Sequence, residues 1–144
     1  EIGFQYVDIE LTTAELKEIV QRVKDYGARP IVSFHDFKGT PVSSKMQKTM
    51  KSQAEAGADI CKLVTTANDV TDNIQCMLLT QRMCKIWTIV CFAMGKKGLL
   101  SRVLSPLFGA YFTYASLEGG METASGQISI TELKDLYAKL GVNE

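Results

Sequence analysis

The chain has 144 residues, of which 46% are hydrophobic and 22% are charged, an ordinary balance for a globular protein with one sizeable core. Sixteen basic and sixteen acidic residues cancel, and neither sign forms a long block, so we expect no nucleic-acid partner and no attraction to an anionic membrane surface. The longest apolar stretches, such as residues 87–94, are too short to span a bilayer.

Five short runs rich in β-branched or aromatic residues begin about two dozen residues apart, which is the spacing of repeated β/α units. They cover residues 6–11, 30–35, 59–64, 86–92 and 111–116. After the first run, Thr12 and Glu15 form the pattern of a capping box, and Gly27 can end the helix that they begin. The apolar face of this first helix consists of Leu16, Ile19, Val20 and Val23.

Four further segments have the helical period. The second predicted helix covers residues 43–56 and is followed by Gly57, with Met46, Met50 and Ala54 on one side. The third is marked by Val70, Ile74, Met77 and Leu78, and the fourth covers residues 99–104, before Pro106. The last begins at a capping box of Ser129 and Glu132 and directs Leu133, Leu136 and Leu140 inward.

Strictly alternating units with buried strands predict a parallel sheet, either an open doubly wound sheet or a barrel. No glycine-rich nucleotide loop follows any strand, and this favours the barrel. A complete barrel needs about 250 residues. We therefore predict an α/β fold of the (β/α)8 TIM-barrel type in which residues 1–144 form a single domain with about five C-terminal units. Three N-terminal units would be missing, and another chain or segment would cover the open strand edges.

Two residues with catalytic potential, His35 and Lys62, share inward faces with apolar residues. Ile31, Ser33 and His35 have one parity in the second strand, and Lys62 lies between Ile60 and Val64 in the third, near the strand ends where barrel enzymes place their catalytic groups. A lysine in this apolar run should lose proton affinity by desolvation and so become a nucleophile for a carbonyl. The alternatives are an edge-strand lysine that snorkels to solvent and a histidine that is only hydrogen-bonded structurally, beside Asp36.

Two other features admit both a functional and a structural interpretation. Arg102, after the fourth strand, could clamp a carboxylate through its forked donors, or it could be an exposed helix charge. The small polar loop at residues 123–127 could close over a ligand, or it could simply connect a strand to a helix. Cys61, Cys76, Cys84 and Cys91 form no CxxC pair, so we expect buried, reduced thiols and a reducing compartment.

Several motifs jointly resemble one family. They are Ser33 to Phe37 with Thr40 and Pro41, Gly57 to Lys62, Met94 and Gly95 with Gly98, Ser101 and Arg102, Leu107 to Gly109, and Ser125 to Ser129. In order and spacing they are similar to the signatures of type I 3-dehydroquinate dehydratases from the fifth barrel strand to the C-terminus. Essentially the whole chain is covered. Residues 65–67 and 104–106 look closest to versions fused to shikimate dehydrogenase, as in plants.

The resemblance implies a hydro-lyase that dehydrates 3-dehydroquinate to 3-dehydroshikimate in the shikimate pathway of aromatic amino acid biosynthesis. Lys62 would form a Schiff base with the ketone, and His35 would act as general acid and base. The substrate-binding residues implied are Arg102 for the carboxylate, Thr123 and Gln127 from the closing loop, and Phe92 and Met94. No cofactor and no metal are implied. Phe92, Thr123 and Ser125 replace a frequent methionine, serine and proline of the family.

In the family, the first three strands carry further groups, including acidic and arginine residues that bind substrate hydroxyls and orient the histidine. We expect this chain to lack that segment and therefore to be a poor enzyme by itself. Two other function classes remain open: a catalytically incomplete fragment or pseudoenzyme that acts as an interaction module, and another Schiff-base barrel such as an aldolase. The expected partner is a small-molecule substrate, with either a homodimer or completion by the missing N-terminal segment. The expected compartment is the cytoplasm, or the plastid for a plant-like source.

Overall fold

The computed structural model describes residues 3–117 and 126–142. Strands and helices alternate, as the sequence predicts, through the first four β/α units. The strands are β1 (Tyr6–Glu10), β2 (Arg29–His35), β3 (Ile60–Thr66) and β4 (Ile89–Met94). The helices are α1 (Leu16–Asp25), α2 (Ser43–Glu55), α3 (Asp72–Met83), α4 (Leu99–Leu104) and α5 (Ile130–Lys139), with short 3₁₀ turns at Lys96–Gly98 and Ser105–Phe108.

The four strands form one parallel sheet in the order β1-β2-β3-β4. Every neighbouring pair is parallel and consecutive in sequence, which is the connectivity of a (β/α) barrel rather than of a doubly wound sheet. The register sets Lys62 opposite Ser33 on one side and opposite Val90 on the other. The predicted barrel-type α/β fold is therefore confirmed as a partial barrel.

The prediction of a fifth strand at residues 111–116 is wrong. This segment makes one backbone hydrogen bond to β4, from Tyr111 N to Ile89 O at 2.8 Å, and one isolated bridge between Ser116 and Ser129. Its aromatic side chains instead cover the inner surface of the sheet, where Phe112 and Tyr114 pack against the apolar residues of the other strands. This segment is therefore held by packing of its rings and not by the ladder of strand hydrogen bonds that its β-branched and aromatic composition predicts.

The sheet has an apolar surface on each side. The outer surface packs against helices α2 and α3, and its core includes Met46, Met50, Leu63, Leu79 and Cys91. The inner surface is formed by Ile31, Ile60, Val64, Val90 and Phe92. Alternate residues of each strand face opposite sides, so the same strands supply both an outer core and the wall of an inner pocket.

Helix ends agree with the sequence in part. The capping box at Ser129 and Glu132 is confirmed, with both reciprocal hydrogen bonds present. The capping box predicted at Thr12 and Glu15 is wrong: α1 begins after Glu15, which has a left-handed backbone (φ 54°) and makes no side-chain cap. Gly27, at φ 80°, follows the end of α1 as predicted.

The predicted inward faces of α3 and α5 need correction. Val70, Ile74 and Leu78 are exposed, and α3 buries Asn73, Cys76, Leu79 and Thr80 instead. Asn73 explains this rotation, because its amide hydrogen-bonds the Lys97 carbonyl and the Ser101 N–H and so ties α3 to α4. On α5, Leu136 and Leu140 are also exposed, since no described residue covers that side of the helix.

The cysteines are free thiols, of which Cys61, Cys76 and Cys91 are buried and Cys84 is partly buried. Burial raises the pKa of Cys61 to about 12, so this thiol stays protonated at neutral pH. Three of the four thiols thus pack as small apolar side chains, as predicted. Within residues 3–117 and 126–142, no helix has the length and apolar character needed to cross a membrane.

Candidate active site

A pocket of about 190 Å³ opens on the inner side of the sheet at the carboxyl ends of β2, β3 and β4. It is lined by His35, Lys62, Val64, Phe92, Met94, Arg102, Tyr114 and Gln127. Six of the seven residues singled out from the sequence therefore meet in one place. The seventh, Thr123, lies outside the described residues, so its predicted role stays a prediction.

Lys62 is held inside this pocket by two neighbours. Its side chain is only 11% exposed, and its Nζ donates to Asp8 Oδ2 at 2.7 Å. The same Nζ lies 4.8 Å from the ring centroid of Tyr114, within the range of a cation–π contact. The snorkelling alternative is wrong, because β3 lies between β2 and β4 and the amine points into the pocket rather than to bulk solvent.

His35 ends β2 and is bonded to a carboxylate of β1. Its Nδ1 lies 2.8 Å from Glu10 Oε2. The other oxygen of Glu10 accepts from the His35 backbone N–H at 3.3 Å, and the Ser33 hydroxyl donates to Oε2 at 3.2 Å. The neighbouring Asp36 does not take this role, since its Oδ1 accepts from the backbone N–H groups of Lys38 and Gly39.

In the family that the sequence resembles, carboxylates that orient the histidine are expected from the first three strands; here Glu10, on β1 of this chain, also lies against His35. Asp8 and Glu10 are two residues apart on β1, so both side chains face the inner side of the sheet. They contact Lys62 and His35 respectively. The available sequence signal was two acidic residues of equal parity in the first predicted strand, on the face that the pocket occupies.

Arg102 is buried to 3% exposure, so the alternative of an exposed helix charge is wrong. Its guanidinium carbon lies 4.4 Å from the ring centroid of Phe92, and its Nη2 is buried without a hydrogen-bond partner. Burial lowers the pKa of Arg102, yet a guanidinium remains charged in proteins. A buried guanidinium donor without a partner is a candidate site for an anion.

Arg102 is placed by the tight junction between β4 and α4. The Ser101 hydroxyl accepts from Ala93 N at 2.9 Å, and the Ser101 N–H donates to Asn73 at 2.8 Å. A Cβ at Gly98 would collide with the Ala93 carbonyl, so only glycine permits this approach. The glycine and serine of the sequence motif thus set the position of the arginine that follows them.

Gln127 reaches the pocket from the far end of the chain and is 9% exposed. The preceding Gly126 has φ +77°, and a Cβ there would collide with the carbonyl of Gly95, at the end of β4. Gln127, the residue that follows, lies in the lining of the pocket, as Met94 does. Ser125, like Thr123, lies outside the described residues.

Tyr114 also lines the pocket and was not among the site residues predicted from the sequence. Its ring packs edge-on against Phe92, with centroids 6.2 Å apart. The pKa of Tyr114 is raised, chiefly by burial, so its phenol is neutral near pH 7. The only available signal was its place in a run interpreted as a strand, and that interpretation hid its role as a wall of the pocket.

No group of three or more His, Cys, Asp and Glu side chains within residues 3–117 and 126–142 could hold a metal ion. The consecutive parallel strands, with a buried lysine, a histidine and an arginine at their carboxyl ends, define a protein of the (β/α)-barrel class.

Comparison with known proteins identifies the family within that class. The family model for type I 3-dehydroquinase matches residues 1–144. A 3-dehydroquinate dehydratase of Dehalococcoides mccartyi is 40% identical over 135 residues, covering 94% of this chain and 60% of the relative. The chain belongs to the type I 3-dehydroquinase family.

Solved structures support the same assignment. The 3-dehydroquinate dehydratase of Geobacillus kaustophilus superposes with a TM-score of 0.88 at 26% identity, covering 97% of this chain and 55% of that one. A type I 3-dehydroquinate dehydratase of Clostridium difficile, with covalently modified comenic acid, gives a TM-score of 0.85 at 27% identity, covering 94% and 55%. The chain thus spans less than two thirds of the length of these relatives.

Proposed function

We propose that this chain carries the Schiff-base site of a 3-dehydroquinate dehydratase, a hydro-lyase that converts 3-dehydroquinate to 3-dehydroshikimate. The observation that carries the proposal is the position of the Lys62 amine. It is nearly buried, and it shares one pocket with His35 and with an arginine that has an unpaired donor. A nucleophile, a proton carrier and an anion site are the three groups that the reaction requires.

Lys62 begins the reaction in this proposal. The ammonium first passes a proton to His35, and the neutral amine attacks the ketone carbon of the substrate; His35 returns the proton to the carbonyl oxygen. Loss of the carbonyl oxygen as water then gives an iminium. Because the iminium withdraws electrons, it acidifies the neighbouring carbon. The buried setting of Lys62 beside Tyr114 supports a step that needs a water-poor environment.

His35 carries the protons. It assists imine formation and then removes a proton from the carbon next to the iminium. The electron pair forms the new double bond as the tertiary hydroxyl leaves, and the proton from His35 makes that hydroxyl water. Hydrolysis of the imine returns the amine of Lys62 and releases the product. Because His35 and Lys62 line the same pocket, one histidine can serve each step.

The remaining pocket residues bind and orient. Arg102 binds the substrate carboxylate by donating a hydrogen bond from its free Nη2, and the ring of Phe92 packs against the guanidinium. Gln127, with Thr123 from the same loop, binds substrate hydroxyls, and Met94 lines the apolar side. In this assignment the free donor of Arg102 determines which end of the substrate enters the pocket first.

The surrounding assembly is part of the proposal. We propose that residues 1–144 are the C-terminal part of an eight-stranded barrel, which either an N-terminal segment or a second copy completes. The exposed leucines of α5 support this, since Leu136 and Leu140 offer an apolar surface to such a partner. The buried free thiols favour a reducing compartment, the cytoplasm or, for a plant-like source, the plastid.

Borohydride trapping tests the proposed nucleophile. The chain is incubated with 3-dehydroquinate, reduced with borohydride, and analysed by intact mass and peptide mapping. We expect one adduct, located on Lys62, because reduction makes the imine permanent. Lys62→Met should abolish the adduct, whereas Lys48→Met, on the exposed side of α2, should retain it. A folded sample with no adduct, or with adducts spread over surface lysines, would contradict the proposal.

The same sample separates this function from an aldolase. A dehydratase leaves the carbon skeleton of the substrate intact and loses water, whereas an aldolase breaks a carbon–carbon bond. The mass of the reduced adduct therefore distinguishes the two reactions. A fragment of the substrate on Lys62 would favour the aldolase and overturn the dehydratase assignment.

A further inference from the structure

The amine of Lys62 contacts two side chains of different chemistry. Asp8 accepts its hydrogen bond at 2.7 Å, and the ring centroid of Tyr114 lies 4.8 Å from Nζ. Tyr114 also lines the pocket that His35 and Arg102 share. Burial raises the pKa of Tyr114, and Lys62 opposes this rise through its charge and through a side-chain hydrogen bond with the phenol. The phenol is therefore a neutral group within hydrogen-bonding reach of the amine.

The ring of Tyr114 is held in place by its neighbours. Phe92 packs edge-on against it with centroids 6.2 Å apart, and Phe112 does so at 5.3 Å with an interplanar angle of 80°. The hydroxyl of the preceding Thr113 donates to the backbone carbonyl of Arg102 at 2.6 Å, which anchors the chain one residue before the ring. The phenol is thus placed before any substrate binds, and no flexible side chain has to be ordered during the reaction.

Addition of an amine to a ketone requires a hydrogen-bond donor beside the amine. When the nitrogen of Lys62 bonds to the carbonyl carbon, an electron pair of the C=O double bond moves to the oxygen, which then lies two bonds from Nζ. An ionised carboxylate only accepts hydrogen bonds, whereas a phenol can also donate one. Asp8 would therefore repel the new charge, while the phenol of Tyr114 can donate to it.

We propose that Tyr114 is a further catalytic residue, whose phenol O–H donates a hydrogen bond to the oxygen of the carbinolamine that forms on Lys62. The proposal rests on the proposed function for the identity of the ketone. Tyr114 keeps its own proton throughout. The proton that the oxygen receives comes from His35, and the oxygen then leaves as water. A fixed donor at a developing negative charge is one of the largest contributions that a site makes to a rate.

A small aldehyde tests this role without 3-dehydroquinate. Glyoxylate carries a carboxylate beside a reactive carbonyl, and excess cyanoborohydride reduces its imine with an amine, so that imine formation limits the rate. Peptide mapping gives the labelling rate of Lys62 relative to the exposed Lys48 in the same sample. Tyr114→Phe keeps the ring but removes the donor, and we expect the relative rate at Lys62 to fall about 10- to 100-fold. An unchanged relative rate would overturn the proposal.

A matched variant separates this chemistry from packing. Tyr137→Phe also removes a phenol hydrogen bond, which Tyr137 donates to the Val103 carbonyl at 2.7 Å away from the pocket lining. We expect Tyr137→Phe to label Lys62 at the wild-type relative rate. An equal loss of rate in Tyr137→Phe and Tyr114→Phe would assign the effect to packing and overturn the proposal.

A more acidic phenol tests the donor without removing any hydrogen bond from the folded chain. Tyr114→3,5-difluorotyrosine keeps the ring and the O–H group, and its ¹⁹F resonance reports ionisation of the phenol at this position. A phenolate cannot donate, so we expect the relative rate at Lys62 to fall below that of the wild-type chain as the fluorinated phenol ionises. A rate that does not follow this ionisation would overturn the proposal, whether or not Tyr114→Phe folds.

The labelling and trapping experiments fail separately. Labelling by glyoxylate that depends on Tyr114, without any adduct from 3-dehydroquinate, would remove the proposed function and keep the role of Tyr114 in carbonyl addition. An adduct from 3-dehydroquinate that forms equally fast in Tyr114→Phe would keep the Schiff base and remove the role of Tyr114. Failure of glyoxylate to label Lys62 in the folded wild-type chain would overturn the role of Tyr114 as well.

Discussion

The ammonium of Lys62 and the carboxylate of Asp8 form a 2.7 Å ion pair between β3 and β1, although 54 positions separate them in the sequence. β2 lies between the two strands, so the pair crosses the inner side of the sheet. One end is nearly buried and the other is about one-third exposed. The contact therefore links the proposed nucleophile on β3 to the first strand, β1.

Removal of this carboxylate should destabilise the fold. Asp8→Asn leaves a buried ammonium without a counterion, and we expect the free energy of unfolding to fall by about 1–2 kcal/mol. Lys62→Met combined with Asp8→Asn should cost less than the sum of the single changes, with a coupling of about 1 kcal/mol. Urea unfolding of the wild-type chain, the two single variants and the double variant measures this coupling energy.

The control for this cycle is a surface pair. Lys51 and Glu55 on α2 are 3.6 Å apart and mostly exposed, so Glu55→Gln should change the free energy of unfolding by less than about 0.5 kcal/mol. Additive effects at Asp8 and Lys62 would show that the short contact does not stabilise the chain.

Arg102 should govern the affinity for the substrate carboxylate. A charge-assisted hydrogen bond contributes about 1.5–3 kcal/mol, so Arg102→Met in the Lys62→Met background should weaken binding of 3-dehydroquinate about 10- to 100-fold. Arg102→Lys keeps the charge but loses the fork, and we expect an intermediate loss. Calorimetric titration measures both, with Arg82→Met, at an exposed position of α3, as the control. Equal affinities across the series would rule out Arg102 as the anion site.

Gly126 should be intolerant of a side chain for a reason beyond its backbone angle. Gly126 and Gly141 have similar positive φ values, 77° and 70°, but only at Gly126 would a Cβ meet other atoms, those of Gly95 and Lys96. Both alanine variants carry a backbone penalty of about 1 kcal/mol. Only Gly126→Ala should also displace Gln127 and weaken substrate binding. Thermal unfolding and titration of both variants test this, and equal binding losses would contradict it.

The cap of α5 should depend on pH. The backbone N–H and then the hydroxyl of Ser129 donate to Glu132 and lower the pKa of its carboxyl. Because the pKa of Glu132 is lowered in the folded state, the cap stabilises α5 fully when the pH is above the pKa of glutamate in the unfolded chain, about 4.3. This stabilisation is lost as the pH falls through the folded-state pKa.

The stability difference between the wild-type chain and Glu132→Gln should therefore shrink on acidification from neutral pH. Ser129→Ala should cost about 1 kcal/mol at neutral pH. Helix content followed by circular dichroism against pH is the measurement, and a difference that stays constant down to about pH 3 would argue against the cap as its source.

The sequence alone determined the strand faces around the site. Alternation in the second and third strands assigned His35 and Lys62 to one side, and the glycines after α1 and α2 marked where those helices end. These features are local: side-chain parity and turn conformation depend on residues a few positions apart. The family signatures depend on the same short motifs, and for this reason they could be recognised without coordinates.

Only the tertiary structure determined which side chains meet. The pairing of His35 with Glu10 and of Lys62 with Asp8, the free donor of Arg102, and the rings of residues 112 and 114 over the inner surface all depend on strand register and on packing between distant segments. Periodicity assigns a residue to a face but sets no distance across that face. The sequence therefore predicted no role for the carboxylates of β1. They contact the proposed catalytic groups only because parallel pairing brings the strands together.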